Sequence, residues 1–219
     1  MSRILVSIIS THGDDKGLIL PFSVSPIQII IIPIYTKKNR KKIINESEKI
    51  KKKIESLKLR VEIDKTEKRP GEKYYEWELK GVPFRLEIGE KEIKNKRVIL
   101  FIRDSKKKEN LSIKNLSKLK EYGIKFDDRL RKKAGKSMNG KIVNCKTIDQ
   151  IKKAMREGKI ARVNWCSLNN EGMKCAEHIE KEINAEVRGT LANKKEKSAG
   201  NCIICNKPAR EVVYVAKSY

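Results

Sequence analysis

The sequence predicts an α/β layer fold on a mostly parallel or mixed sheet, in two domains that meet near residue 135. Three observations carry that prediction. The run Ile27 to Ile34 is β-branched except at Gln28 and Pro33, which suits a strand covered on both faces. Helix-spaced apolar residues alternate with strand-like runs through the first half of the chain. Beyond Gly135 and Gly140 the same alternation starts again, so that stretch reads as a boundary.

The elements follow in order. Residues 3–10 (RILVSIIS) form a short apolar run that ends in the turn-forming segment Thr11 to Gly17. Leu18 to Leu20 suits a strand stopped by Pro21. From Asn39 to Leu57, the residues Ile43, Ile44, Ile50, Ile54 and Leu57 fall close to helical spacing among lysines and glutamates. Leu59 to Ile63 alternates as a short strand, and Arg69-Pro70-Gly71 marks a turn before a helix reaching Lys80. Val82 to Ile88 and Val98 to Ile102 read as strands, whereas residues 103–120 are lysine-rich with weak periodicity. Phe126 to Ala134 is helical. In the second half, Ile142-Val143 and Ile160 to Trp165 are strand-like, and helices run over Asp149 to Glu157 and Ala176 to Asn184. A polar loop at 192–200 leads to a hairpin through Cys202 to Cys205 and Val212 to Val215.

Composition narrows the function. Against 28 acidic residues stand 52 Lys and Arg, a formal charge of +24 on 219 residues. Such an excess favours a polyanionic partner, nucleic acid first; the competing reading is a solvated lysine surface produced by codon bias. Hydrophobic residues are 38% and aromatics 5%, so the core is aliphatic, and collagen-like or fully disordered classes are excluded. No apolar run reaches the ~18 residues of a membrane span, and the N-terminal residues do not read as a signal peptide. The expected compartment is the cytoplasm, with no membrane partner.

Five cysteines with no secretion signal argue against a disulfide framework. Cys202 and Cys205, with two residues between them, aim two thiolates from one turn, and Cys166 with Cys175 complete a four-sulfur set. That pattern predicts a structural Zn2+ site; the competing reading is four free or buried thiols. Cys145 lies outside both pairs and reads as a small core residue.

Three segments are specific enough to carry a family resemblance. They are Ser10-Thr11-His12-Gly13-Asp14-Asp15-Lys16-Gly17-Leu18 with Leu20-Pro21 and Pro26-Ile27-Gln28, then Glu76-Trp77-Glu78-Leu79-Lys80-Gly81-Val82-Pro83-Phe84-Arg85-Leu86-Glu87-Ile88-Gly89, and finally Lys207-Pro208-Ala209 with Ala216 to Tyr219. Together they resemble prolyl-tRNA synthetase of the archaeal and eukaryotic type, a class II enzyme. The resemblance covers essentially the whole chain. It implies a class IIa anticodon-binding domain, a mixed sheet flanked by helices, over residues 26–135, and a small α+β zinc-binding-like domain over 136–219. Residues 1–25 would be the end of the catalytic domain, entered within motif three; motifs one and two are not in the chain.

The resemblance also assigns roles. It implies ATP contact by Arg3 and by His12 of the HGDD segment, where Asp14 and Asp15 otherwise read as two solvated carboxylates of a turn. ATP and Mg2+ would bind only with the catalytic domain, and no catalytic residue is assigned in this chain. Recognition of the two guanines shared by proline anticodons falls to Glu78, Arg85, Lys91 and Lys107. An arginine donates to guanine O6 and N7, and a carboxylate accepts from N1 and N2. Without the resemblance, Glu78 and Arg85 read as an exposed ion pair. Trp77 and Phe84 read as core residues, Trp77 with a second reading as a stacking platform. The four-cysteine site maps onto Cys166, Cys175, Cys202 and Cys205, with eight residues in the first gap where the family usually has four. Tyr219 would pack toward a catalytic domain. The expected function is therefore the C-terminal part of a proline–tRNA ligase, with tRNA(Pro) and either a separate catalytic half or a homodimer as partners. The alternatives are a stand-alone tRNA-binding module and an interaction protein that has lost recognition.

Overall fold

The computed structural model describes residues 2–217 and divides into two units, the first ending at Ala134 and the second starting at Gly135. The first unit grows around β1 (Ile29–Pro33), buried along its whole length. Successive side chains of a strand point to opposite faces, so the isoleucine run serves two cores. Ile29 and Ile31 join Phe84, Leu86, Val98 and Leu100 on one face, while Ile30 and Ile32 meet Val82, Tyr74 and Trp77 on the other. Each such side chain contributes about 1.5–3 kcal/mol on burial.

β1 lies between β2 (Val61–Ile63) and β3 (Phe84–Ile88), parallel to both, and β4 (Arg97–Ile102) and β5 (Lys107–Ser112) continue the sheet antiparallel. The mixed sheet is thus as expected. The larger core is closed by α2 (Arg40–Glu55), through Ile50 and Ile54, and by α5 (Lys118–Lys141), through Leu119, Phe126 and Leu130. Over the smaller core lies α3 (Pro70–Leu79), which begins with proline at a position needing no donor. The unit also contains α1 (Ser2–His12) and the short α4 (Glu90–Lys94).

In the second unit the order is β6-β7-β9-β8, for β6 (Ile142–Asn144), β7 (Ile160–Trp165), β8 (Glu186–Gly189) and β9 (Glu211–Ala216). Here β6 runs parallel to β7, and the other pairings are antiparallel. Ala161, Val163 and Trp165 alternate inward with Val213 and Val215, against α6 (Ile148–Arg156) and α7 (Asn170–Ile183). On the other face, Glu196 of the polar loop accepts from Arg162 (2.9 Å) and from the Tyr214 hydroxyl (2.7 Å).

Several local expectations are corrected. Leu18 to Leu20 is not a sheet strand; its N–H groups at 18 and 20 donate instead to the carbonyls of Leu79 and Gly81. Gly135 and Gly140 do not end a helix, because α5 runs through both, and neither carries a crowded site that would require glycine. The lysine-rich stretch contains β5, whose polar residues hide its strand period. The hairpin at the end of the sequence does not form: Cys202 to Cys205 is a turn, and β9 pairs with β7 and β8. The role expected for Tyr219 lies outside the described residues.

Candidate nucleic-acid interface and metal centre

The alternation of β3 that buries Phe84, Leu86 and Ile88 in the large core turns Arg85 and Glu87 to the opposite face. There the Arg85 guanidinium is enclosed. Its carbon sits 3.8 Å from the Tyr74 ring centroid and 4.1 Å from that of Phe101. Arg85 Nη1 donates to Glu78 Oε1 at 2.9 Å, while Nη2 and Nε donate to Glu87 Oε1 at 3.0 and 3.2 Å. The Glu78–Arg85 pair therefore forms, and it is buried: the side chains are 13% and 6% exposed. Lys108 Nζ completes the cluster, 3.0 Å from Glu87. Two cations and two carboxylates thus balance in a site where an unpaired charge is costly. Burial first, and then the Glu87 charge, push the Tyr74 hydroxyl up to about 12.

Register separates the lysines. Lys108 pairs with Phe101 across β4–β5 and shares the face of Arg85, whereas Lys107 pairs with Ile102 and faces the other side of the sheet. On that other side Lys107 lines a cavity with Tyr122 and Arg129. Lys91 is exposed on α4 and makes no ion pair with the Arg85 cluster among the described residues. Sequence reasoning missed Glu87, Lys108, Tyr74 and Phe101; stepping by two from Arg85 finds Glu87, but Phe101 and Lys108 require the strand register and Tyr74 the packing of α3 on the sheet. Phe84 is a core residue, edge-on to Phe126 at 5.7 Å. Trp77 is half-buried, donating to Asp64 Oδ2 at 2.7 Å, with the Lys80 ammonium 4.2 Å from its ring centroid.

The HGDD segment closes onto this site. Asp14 accepts from both Nη groups of Arg103, at 2.9 and 2.5 Å, so it is not the solvated carboxylate expected from the sequence. Hydrogen bonding by Arg103 holds the Asp14 carboxyl well below the usual carboxylate range. Asp15 is exposed. His12 is half-buried with Nδ1 unpartnered among the described residues; burial, then the Lys133 charge, lower its pKa. Arg3 is exposed in the first turn of α1. Arg3 and His12 stand nine residues apart on α1, about 14 Å along its axis, and the helix does not bring them together.

The cysteines converge. The sulfurs of Cys166, Cys175, Cys202 and Cys205 all lie within 4.8 Å of one another, and Cys166 to Cys175 is 3.8 Å. A tetrahedral ion with bonds of about 2.3 Å to sulfur has sulfur–sulfur edges near ~3.8 Å, so four thiolates here fit one ion. The long first gap closes because α7 begins at Asn170 and puts Cys175 on its buried face with Gly172 and Ile179. A Cβ at Gly172 would sit 1.9 Å from the Ser167 carbonyl oxygen; glycine lets the Cys166 loop pass. Burial raises the Cys166 and Cys175 thiols, while the Lys207 N–H lowers exposed Cys205 to about 7. Cys145 is buried outside the cluster, as expected.

Comparison with known proteins gives these sites a context. Residues 28–122 match the family "Anticodon binding domain" and residues 148–219 the family "Prolyl-tRNA synthetase, C-terminal". A "Proline--tRNA ligase" of Methanococcoides burtonii is 38% identical over 219 residues, covering 99% of this chain and 44% of that protein. One from Nanoarchaeum equitans is 38% identical over 208 residues, covering 94% and 38%. Among solved structures, Giardia lamblia prolyl-tRNA synthetase in complex with prolyl-adenylate matches with a TM-score of 0.88 and 31% identity, over 100% of this chain and 47% of that one. The chain thus spans less than half the length of these relatives.

Proposed function

The chain belongs to the prolyl-tRNA synthetase family as its anticodon-binding and C-terminal region, and from that premise we propose that it recognises the anticodon of proline tRNA in support of ATP-dependent attachment of proline. The observation that carries the reading is the buried Arg85 with its two carboxylates, an assembly of fixed acceptors on a strongly basic molecule. Glu78 accepts from guanine N1–H and N2–H, a pairing that no adenine offers, since adenine N1 is itself an acceptor. Arg85 contributes by holding Glu78 and Glu87 in place. Lys108 takes the place on this face expected for Lys107, and Lys91 and Lys107 supply phosphate contacts from outside the cluster. The base-edge contact of Glu78, unlike those to phosphate, discriminates by about 1–3 kcal/mol per base.

Among metals, Zn2+ suits four thiolates, held by Cys166, Cys175, Cys202 and Cys205. Bound by these four residues, zinc would supply a structural cross-link between the turn 202–205 and α7. ATP and Mg2+ belong with the catalytic part of the family, acting with this chain through a separate half or a homodimer, in the cytoplasm. Among the described residues no helix is long and apolar enough to cross a membrane.

The test is binding of the 219-residue chain to a proline tRNA transcript, to the same transcript with both anticodon guanines replaced by adenine, and of the Arg85→Ala variant to both. Tighter binding of the native transcript, lost in Arg85→Ala, is expected. Equal binding of both transcripts by the unaltered chain would falsify anticodon reading and leave a basic surface alone.

A further inference from the structure

We propose that Asp14 and Arg103 form a positioning pair that fixes Glu78 for base recognition, making Asp14 and the backbone from Gly17 to Leu20 part of the anticodon-reading apparatus. The inference rests on the role given to Glu78 above. Glu78 is the penultimate residue of α3, in a turn whose carbonyls have no partner within the helix and which would otherwise fray. Here each carbonyl is taken up. Glu78 O accepts from Arg103 Nε at 3.3 Å and from Gly81 N at 3.0 Å. Leu79 O and Gly81 O accept from the N–H groups of Leu18 and Leu20, each at 3.1 Å. The carboxylate is held as well, by Arg85 on Oε1 and by Lys16 at 3.6 Å from Oε2.

Two features mark this as a built contact. Arg103 is 1% exposed, and a buried guanidinium is sustained by a matching carboxylate, which Asp14 supplies with both oxygens. The backbones also approach too closely for any side chain. A Cβ on Gly17 would lie 2.6 Å from Leu79 Cα, and one on Gly81 would lie 2.8 Å from the carbonyl carbon of Leu18. Both glycines have positive φ, +121° and +75°, so the segments on each side of the contact are shaped to meet. Arg103 also reaches the Gly17 carbonyl at 3.4 Å, so one guanidinium bridges the loop and the end of α3. Glu78 thus stands where two backbones and three cations set it, and Asp14 fixes the cation at the centre.

The test measures dissociation constants of the full chain for a proline tRNA transcript and for its guanine-to-adenine counterpart, at one salt concentration. Asp14→Asn is the principal variant, Arg103→Lys the second, and Asp15→Asn the exposed-carboxylate control. Circular dichroism establishes that each is folded at the assay temperature, so that either of the first two carries the test if the other unfolds. The preference for the native transcript is expected to fall about tenfold in Asp14→Asn and Arg103→Lys, with affinity for the adenine transcript unchanged. Asp15→Asn is expected to keep the full preference. A folded Asp14→Asn or Arg103→Lys that discriminates as the unaltered chain does overturns the inference. If the unaltered chain itself shows no preference, the assignment of Glu78 fails first, and the positioning role fails with it.

Discussion

Asp14 shows what one carboxylate does in a basic chain. Its pKa is depressed by the hydrogen bonds from Arg103, so the folded state binds its proton less readily than the unfolded chain does. A depressed folded-state pKa contributes stability that is present above the unfolded value, near 3.8, and is lost as the pH falls toward the folded one. Urea unfolding of the chain and of Asp14→Asn is therefore expected to show a gap at pH 7 that holds down to about pH 5 and narrows below about pH 4. A gap that widened in acid would mean that Asp14 is better bound when protonated. Arg85 makes the complementary point. Its partner Glu78 was legible from a contiguous motif, but its burial between Tyr74 and Phe101 was not, because the rings come from different elements. The same chemistry that suits arginine for guanine suits it for carboxylates, and residue type alone does not say which is bound.

At the scale of elements, legibility followed hydrophobic period. β1, β7 and α2 stand close to where the sequence put them, since each shows its buried face as a regular apolar pattern. β5 (KKENLS) has one buried residue, Leu111, and its strand character comes from pairing with β4. The cysteine cluster divides in the same way. The Cys202–Cys205 turn was readable from spacing, whereas the return of Cys175 to Cys166 depends on the helix starting six residues before Ala176 and on Gly172. Gly172→Ala puts a methyl group against the Ser167 carbonyl, a backbone atom that cannot rotate away. If the proposed zinc is held by the four thiolates, purified Gly172→Ala is expected to hold well under one equivalent of it and to lose about 2–4 kcal/mol in the second unit, as strain and loss of that metal combine. Metal content and hydrogen exchange in β7 and β9 report both, and a variant with full zinc would dissociate glycine from ligand geometry.

The whole molecule carries +24, and the two contributions to the proposed RNA binding separate by their response to salt. Lysines meeting phosphates release counterions, so the logarithm of affinity falls linearly with the logarithm of salt concentration whatever the anticodon. The proposed acceptor contacts to guanine edges would lie within a buried, charge-balanced cluster and be little screened. Raising salt from 50 to 200 mM is therefore expected to weaken binding of the native and adenine-substituted transcripts in parallel, by about 10³-fold where six phosphates are contacted. Their ratio is expected to stay nearly constant. The lysine-rich helix α2 offers a way to move one quantity without the other: replacing exposed Lys42, Lys52 and Lys53 by glutamine should flatten the salt slope and leave the ratio alone. If the ratio instead collapsed together with the affinity, discrimination would itself be electrostatic. The carboxylates around Arg85 would then hold the sheet together without reading the base.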